Sequence, residues 1–181
     1  GVRRPFGHRG VAGRAQRRGQ GHALVATADE VTAPSVKGEF GVLPGHLPLL
    51  AALQTGIVTY RVGSDTKKCA VARGFVEAGS DKVMLLTDDY VDKDAVEPVE
   101  VRKDLMDCEQ RLDALQAKAD GGVEEQGEIR VLAEKILWLA TQLELYGEPP
   151  IATLRLVDEA KEVLAKDEPV VAADDAKEAD A

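Results

Sequence analysis

The spacing of hydrophobic and polar positions changes twice along the chain. Over residues 23–98, short apolar runs (ALVAT, EVTAPSV, GIVTYRV, KKCAVA, GFVEA, KVMLLT) alternate with turn residues at intervals of 8–12 positions. In GIVTYRV, Ile57, Thr59 and Arg61 alternate with Val58, Tyr60 and Val62, the period-2 signature of a strand with one buried face. Gly-Ser-Asp recurs at 63–65 and 79–81. Gly permits positive φ there, and Ser or Asp bonds its own backbone, so both read as hairpin turns. Many short strands with even turn spacing predict an all-β sandwich or barrel. No helix of crossover length separates the runs, which argues against a parallel βαβ layout.

From residue 99 the period lengthens. Val101, Leu105, Cys108, Leu112, Leu115 and Ala119 step by three and four, and so do Ile129, Leu132, Ile136, Leu139, Leu143 and Tyr146. Gly121-Gly122 interrupts between the two stripes, and Gly is costly inside a helix but easy at its end. Residues 99–146 therefore read as an antiparallel helical hairpin. Asp104, Asp107, Glu109 and Asp113 are expected on its solvated outer faces. Gly147-Glu148-Pro149-Pro150 stops the second helix, and Ile151, Leu154, Val157, Ala160 and Leu164 mark a third to about residue 166. The expected fold class is α+β: an N-terminal all-β sandwich, an antiparallel α-helical hairpin, then an extra C-terminal helix and acidic tail within 147–181.

Composition adds a charge split. The chain of 181 residues has a formal net charge of -9, yet residues 1–22 hold six Arg, six Gly and no acid. That segment shows no helical or strand period and is expected to be disordered. Three readings compete for it: a transit peptide, an Arg/Gly arm for nucleic acid, or a non-native start. The acidic bulk argues against nucleic-acid binding by the main body, because phosphate neutralisation needs a basic surface. Cys69 and Cys108 lie 39 residues apart outside any CxxC or Cys/His cluster, so both read as free thiols, Cys69 as a half-buried strand residue. The chain lacks a P-loop, a GxSxG elbow and metal-spaced histidines, and Asp88, Asp89, Asp92 and Asp94 lack the pattern of a calcium loop. No catalytic, cofactor or metal residue is expected.

Residues 38–53, GEFGVLPGHLPLLAAL, carry a specific pattern: Gly38-Glu39-Phe40-Gly41, Val42-Leu43-Pro44-Gly45-His46 and Pro48-Leu49-Leu50. With Gly56-Ile57-Val58, Gly74-Phe75-Val76-Glu77-Ala78 and Val83 to Asp88, this resembles the epsilon subunit of bacterial F-type ATP synthases, called delta in mitochondria, over residues 24–146. The resemblance implies a non-catalytic rotor subunit of the central stalk that couples gamma to the c-ring and regulates ATP hydrolysis. It implies peripheral attachment at the cytoplasmic face of the bacterial inner membrane. Val36, Lys37, Gly38, Glu39 and Phe40 are then expected to face the c-ring loops, and Pro44, Gly45, His46 and Ala51 to face gamma. An extended hairpin would reach the alpha/beta catalytic head. The competing readings are an RNA-binding protein using the Arg/Gly arm and a stand-alone coiled-coil interaction protein.

The chain departs from that family in three places. The family's opening strand, just before the position of Leu24, is replaced by the Arg/Gly segment, which would leave a sandwich edge unpaired. The hydrophobic-Asp-x-x-Arg-Ala motif with which some members bind ATP reads VEPVEVRKDL here, with Glu97 and Arg102 five apart and Pro98 between. No ATP ligand is carried over. The hairpin segment 123–148 holds Arg130 and Lys135 against six Glu, where inhibition in the family relies on basic residues facing an acidic segment. Weak inhibition by that route is the expectation.

Overall fold

Alternating side chains put one face of each strand inside, and in the computed structural model those faces close on one another. Residues 11–17, 22–117, 122–147 and 151–165 are described. The strands are β1 (Val11–Arg17), β2 (His22–Ala28), β3 (Glu30–Ser35), β4 (Gly38–Val42), β5 (Leu49–Leu53), β6 (Gly56–Val62), β7 (Asp65–Val71), β8 (Gly74–Ala78), β9 (Lys82–Thr87) and β10 (Tyr90–Asp92). A 3-10 turn (Lys93–Ala95) leads to α1 (Pro98–Ala117), α2 (Val123–Tyr146) and α3 (Ile151–Ala165). The strands run in the order β10-β7-β6-β3-β5-β8-β9-β1-β2, with β4 beside β3. Val31, Val58, Cys69, Val71, Val76, Val83 and Leu85 meet in one aliphatic core, so the sheet folds back on itself as a sandwich.

The first strand corrects the expectation for residues 1–22. Val11–Arg17 forms β1, antiparallel to β2 and parallel to β9. Pairing is a property of the backbone, and two flanking strands satisfy its amides whatever the Arg/Gly content. The edge of β9 is thus covered, contrary to the unpaired edge expected above. The β1–β9 pair is parallel without a βαβ unit, because the rest of the sheet makes the connection. Residues 1–10 and 18–21 lie outside the described residues.

The helices form a second layer. Pro98 sits at the first position of α1, where its missing N–H costs nothing. Val101, Leu105, Cys108 and Leu112 are buried on α1, and Leu132, Ile136, Leu139 and Leu143 on α2. Ala119, Gly121 and residues 148–150 lie outside the described residues. Gly122 caps the start of α2, and the Gly147 N–H donates to the Leu143 carbonyl at 2.9 Å at its end. Ala133, Ala140, Thr141 and Leu145 are also buried, so α2 has an apolar arc much wider than the single stripe. That arc meets α1, α3 and the outer side of β6 and β7, where Ala70 joins the helical core and Ile57 packs against it. Leu156 and Ala160 of α3 belong to the same core. Ion pairs join α1 to α2 (Arg111–Glu128, 3.1 Å), α3 to α1 (Arg155–Glu109, 3.2 Å) and the sandwich to α2 (Arg73–Glu134, 2.7 Å).

Cys69 is fully buried rather than half-buried. It pairs across strands with Asp92 and lies near Tyr60 and Tyr90. Burial pushes its thiol up to about 12, and the Asp92 charge adds to the rise. Burial also raises Tyr90, as does the hydrogen bond its hydroxyl donates to Asp92 Oδ1 at 2.6 Å. Unfolded, the thiol ionises near 9; folded, it keeps its proton to about 12. The folded state therefore holds the extra proton, and this contribution is complete below pH 9 and lost as pH rises toward 12. Denaturant titrations above pH 9 should show unfolding free energy falling by about 1.4 kcal/mol per pH unit from this thiol. Cys69→Ala should flatten that slope; an unchanged slope would refute the assignment.

Candidate functional site

The residues singled out by the sequence pattern fall on two turns at opposite ends of β4. At a rise of about 3.3 Å per residue, the five-residue strand separates them by roughly 15 Å. The first turn joins β3 to β4. Ser35 Oγ donates to the Gly38 carbonyl at 2.7 Å and accepts the Lys37 N–H at 3.2 Å. Gly38 has φ 110°, a conformation that a residue with a Cβ adopts only under strain. Val36, Lys37 and Glu39 are exposed at this tip. Phe40, expected at the same surface, instead packs partly against the sandwich core. The reason is alternation: its strand partner is Ala33, an inward residue of β3.

The second turn carries Pro44, Gly45 and His46. Gly45 has φ 86°, and its N–H donates to the Ser80 carbonyl at 2.7 Å, tying this loop to the β8–β9 turn. The His46 N–H donates to the Leu43 carbonyl at 3.0 Å. His46 Nδ1–H donates to the Leu47 carbonyl at 2.7 Å, which leaves Nε2 as an acceptor. The turn therefore presents an imidazole in one tautomer.

Beside this turn lies a surface that the sequence reading did not single out. Leu47 is 80% exposed and Leu50 75%, with Leu43 and Phe75 about half exposed. Register explains the arrangement. Leu50 pairs with Glu77, which pairs with Met84; Ala52 pairs with Phe75, which pairs with Leu86. These six share the outer face of β5, β8 and β9, a single carboxylate among five apolar side chains. Ala51, the β5 residue expected at a contact surface, lies on the opposite face and packs against the core. The outward residues of β5 are its neighbours Leu50 and Ala52. A count of period-2 positions from the buried Leu53 would have found this face.

The start of α1 holds Glu97 and Arg102, the two charged residues nearest to the nucleotide motif described above. Glu97 precedes the helix and its carbonyl accepts the Val101 N–H, while Arg102 is exposed five positions on. Five residues turn a helix by about 140°, so the two side chains leave in different directions. Among the described residues no group of three or more His, Cys, Asp or Glu is placed to hold a metal ion.

Gly45→Ala should lower the unfolding free energy by about 1–2 kcal/mol, the cost of left-handed φ for a residue with a Cβ. Chemical denaturation with an unchanged m-value checks this, and a stabilised or neutral variant would show that the turn relaxes.

A family model described as ATP synthase, Delta/Epsilon chain, beta-sandwich domain, matches residues 20–93. ATP synthase epsilon chain 1 of Syntrophotalea carbinolica is 42% identical over 89 residues, 49% of this chain and 64% of its own length. The chain thus spans just under two thirds of that relative. The ATP synthase epsilon chain of Magnetococcus marinus is 36% identical over 120 residues, 66% of this chain and 82% of its own. Among solved structures, a chain of the Euglena gracilis mitochondrial ATP synthase (OSCP/F1/c-ring) aligns with TM-score 0.58 at 21% identity, covering 80% of this chain and 88% of that one. At that identity the likeness speaks for the fold alone. With the sandwich, the two β4 turns and the following helices in place, the chain belongs to the ATP synthase delta/epsilon family.

Proposed function

We propose that the chain is a non-catalytic, central-stalk (rotor) subunit of an F-type proton-translocating ATP synthase. In this reading it couples gamma to the c-ring and sits peripherally at the cytoplasmic face of the bacterial inner membrane. The observation that carries the reading is β4, a single short strand holding two outward turns on a rigid sandwich of this family. The Val36–Glu39 tip would meet the c-ring loops. The Pro44–His46 turn, with the adjoining apolar face of Leu47, Leu50 and Phe75, would meet gamma. In this reading attachment runs through the complex; no helix among the described residues is long and apolar enough to cross a membrane.

The chemistry of the two contacts differs. Glu39 on an exposed turn can pair with a cation on a ring loop, and such a pair gives register more than energy, about 0.2–1 kcal/mol. An apolar face of several large side chains provides the affinity, because an exposed patch rimmed by polar residues marks an interaction site. Leu47→Asp with Leu50→Asp should abolish co-purification with gamma, whereas Val131→Asp, an exposed position on α2, should leave it intact. Retention of gamma by the double variant would overturn the placement.

The helices bear on regulation. Arg130 is engaged with Glu134 at 3.5 Å, so Lys135 is the other cation within 123–148. A segment of net -4 should be repelled by an acidic stretch of the catalytic head. Deleting residues 99–181 should therefore change ATP hydrolysis by the assembled complex less than about twofold, a barrier change of about 0.4 kcal/mol. Several-fold activation would contradict the charge argument.

A further inference from the structure

Alternation along β8 leaves one charge on an otherwise apolar face. Val76 and Ala78 belong to the sandwich core, so Phe75 and Glu77 point outward. β8 is the middle strand of the three that build this face, between β5 and β9. Glu77 pairs with Leu50 on β5 and with Met84 on β9, and Phe75 lies two positions before it. The carboxylate thus stands among Leu50, Phe75 and Met84 rather than at their margin. Glu77 is exposed and forms no ion pair with another described residue. Lys82, two positions before Met84, shares the face by strand parity, yet no ion pair joins it to Glu77.

In the free chain this carboxylate is hydrated and costs nothing. A partner seated on the face strips that water away. The centres of interfaces are depleted of charge, because a charge taken out of water and left unpaired is strongly destabilising. Glu also has a low strand propensity, so neither the sheet nor apolar adhesion accounts for it at this position. What does account for it is a cation on the partner that meets it when the face is covered.

We propose that Glu77 fixes the orientation in which gamma docks, by pairing with one Lys or Arg of gamma that the apolar face encloses. This rests on the rotor assignment above. The surrounding apolar side chains provide affinity with little direction, since apolar contact is not directional. The carboxylate provides the direction. A gamma surface turned so that its cation misses Glu77 leaves a buried charge unpaired, and that penalty rejects the wrong arrangement.

The test is the affinity of the full chain for gamma, measured by titration calorimetry. Glu77→Gln should weaken binding at least about 30-fold and Glu77→Lys further, whereas Asp81→Asn in the β8–β9 turn should change it less than about threefold. Gamma variants with Glu in place of one surface Lys or Arg at a time should include one that restores binding to the Glu77→Lys chain at least about tenfold. Such recovery also shows that the Glu77→Lys chain is folded. Undiminished binding by Glu77→Gln and Glu77→Lys would overturn the proposal and leave the rotor assignment standing. So would the absence of any restoring gamma variant; an equal loss in Lys82→Ala would then assign the carboxylate to a pair within this chain. No binding of gamma by the unaltered chain would remove the rotor assignment and this inference with it.

Discussion

The burial of α2 on three sides is the constraint on which the helical layer depends. A helix with one apolar stripe needs one neighbour; α2 buries Leu132, Ala133, Ile136, Leu139, Ala140, Leu143 and Leu145 and so needs three. α1 covers one side, α3 another, and the outer side of β6–β7 the third. Small residues allow the close approach: Ala70 on the strand, and Ala133 and Ala140 on the helix. Each fully buried Leu or Ile contributes roughly 1.5–3 kcal/mol, against about 0.2–1 kcal/mol for an exposed ion pair such as Arg111–Glu128. Packing therefore holds the hairpin on the sandwich, and the ion pairs set its register.

The same comparison explains which parts of the fold were legible in the sequence. The period-2 runs and Gly-Ser-Asp turns announced the sandwich because alternation and turn chemistry are local properties, although only Gly63 of the two turn glycines takes the positive φ expected, Gly79 keeping an ordinary one. The stripes of α1 and α2 were equally local. The second buried face of α2 was hidden because Ala133, Ala140 and Thr141 are small or polar, and only their neighbours make them core. β1 was hidden for a different reason. Its neighbour β9 lies some seventy positions away in sequence, and no local period in an Arg/Gly stretch announces a non-local backbone pairing.

The candidate site divides in the same way. Gly38, Pro44, Gly45 and His46 were legible because a turn constrains its own residues. Ala51 and Phe40 turn partly toward the core, and membership of a motif says nothing about such strand parity. Register with Val76 and Ala33 turns both toward the core. The apolar face of Leu50, Ala52, Phe75, Met84 and Leu86 is assembled from three strands, so no single stretch of sequence displays it.

Pairing β1 with β9 has a consequence for the order of assembly. Sixty-five positions separate Arg17 from Lys82, and a contact across such a distance forms only after a large loop is closed. During synthesis β1 can pair with β2 as soon as that strand is made, but its other edge stays open until β9 emerges. An apolar strand waiting so long would be a hazard for self-association. A strand flanked and studded by arginines repels its own copies and stays hydrated. The positive charge that set this segment apart thus acts before the native state exists, as protection for a strand made early and placed late.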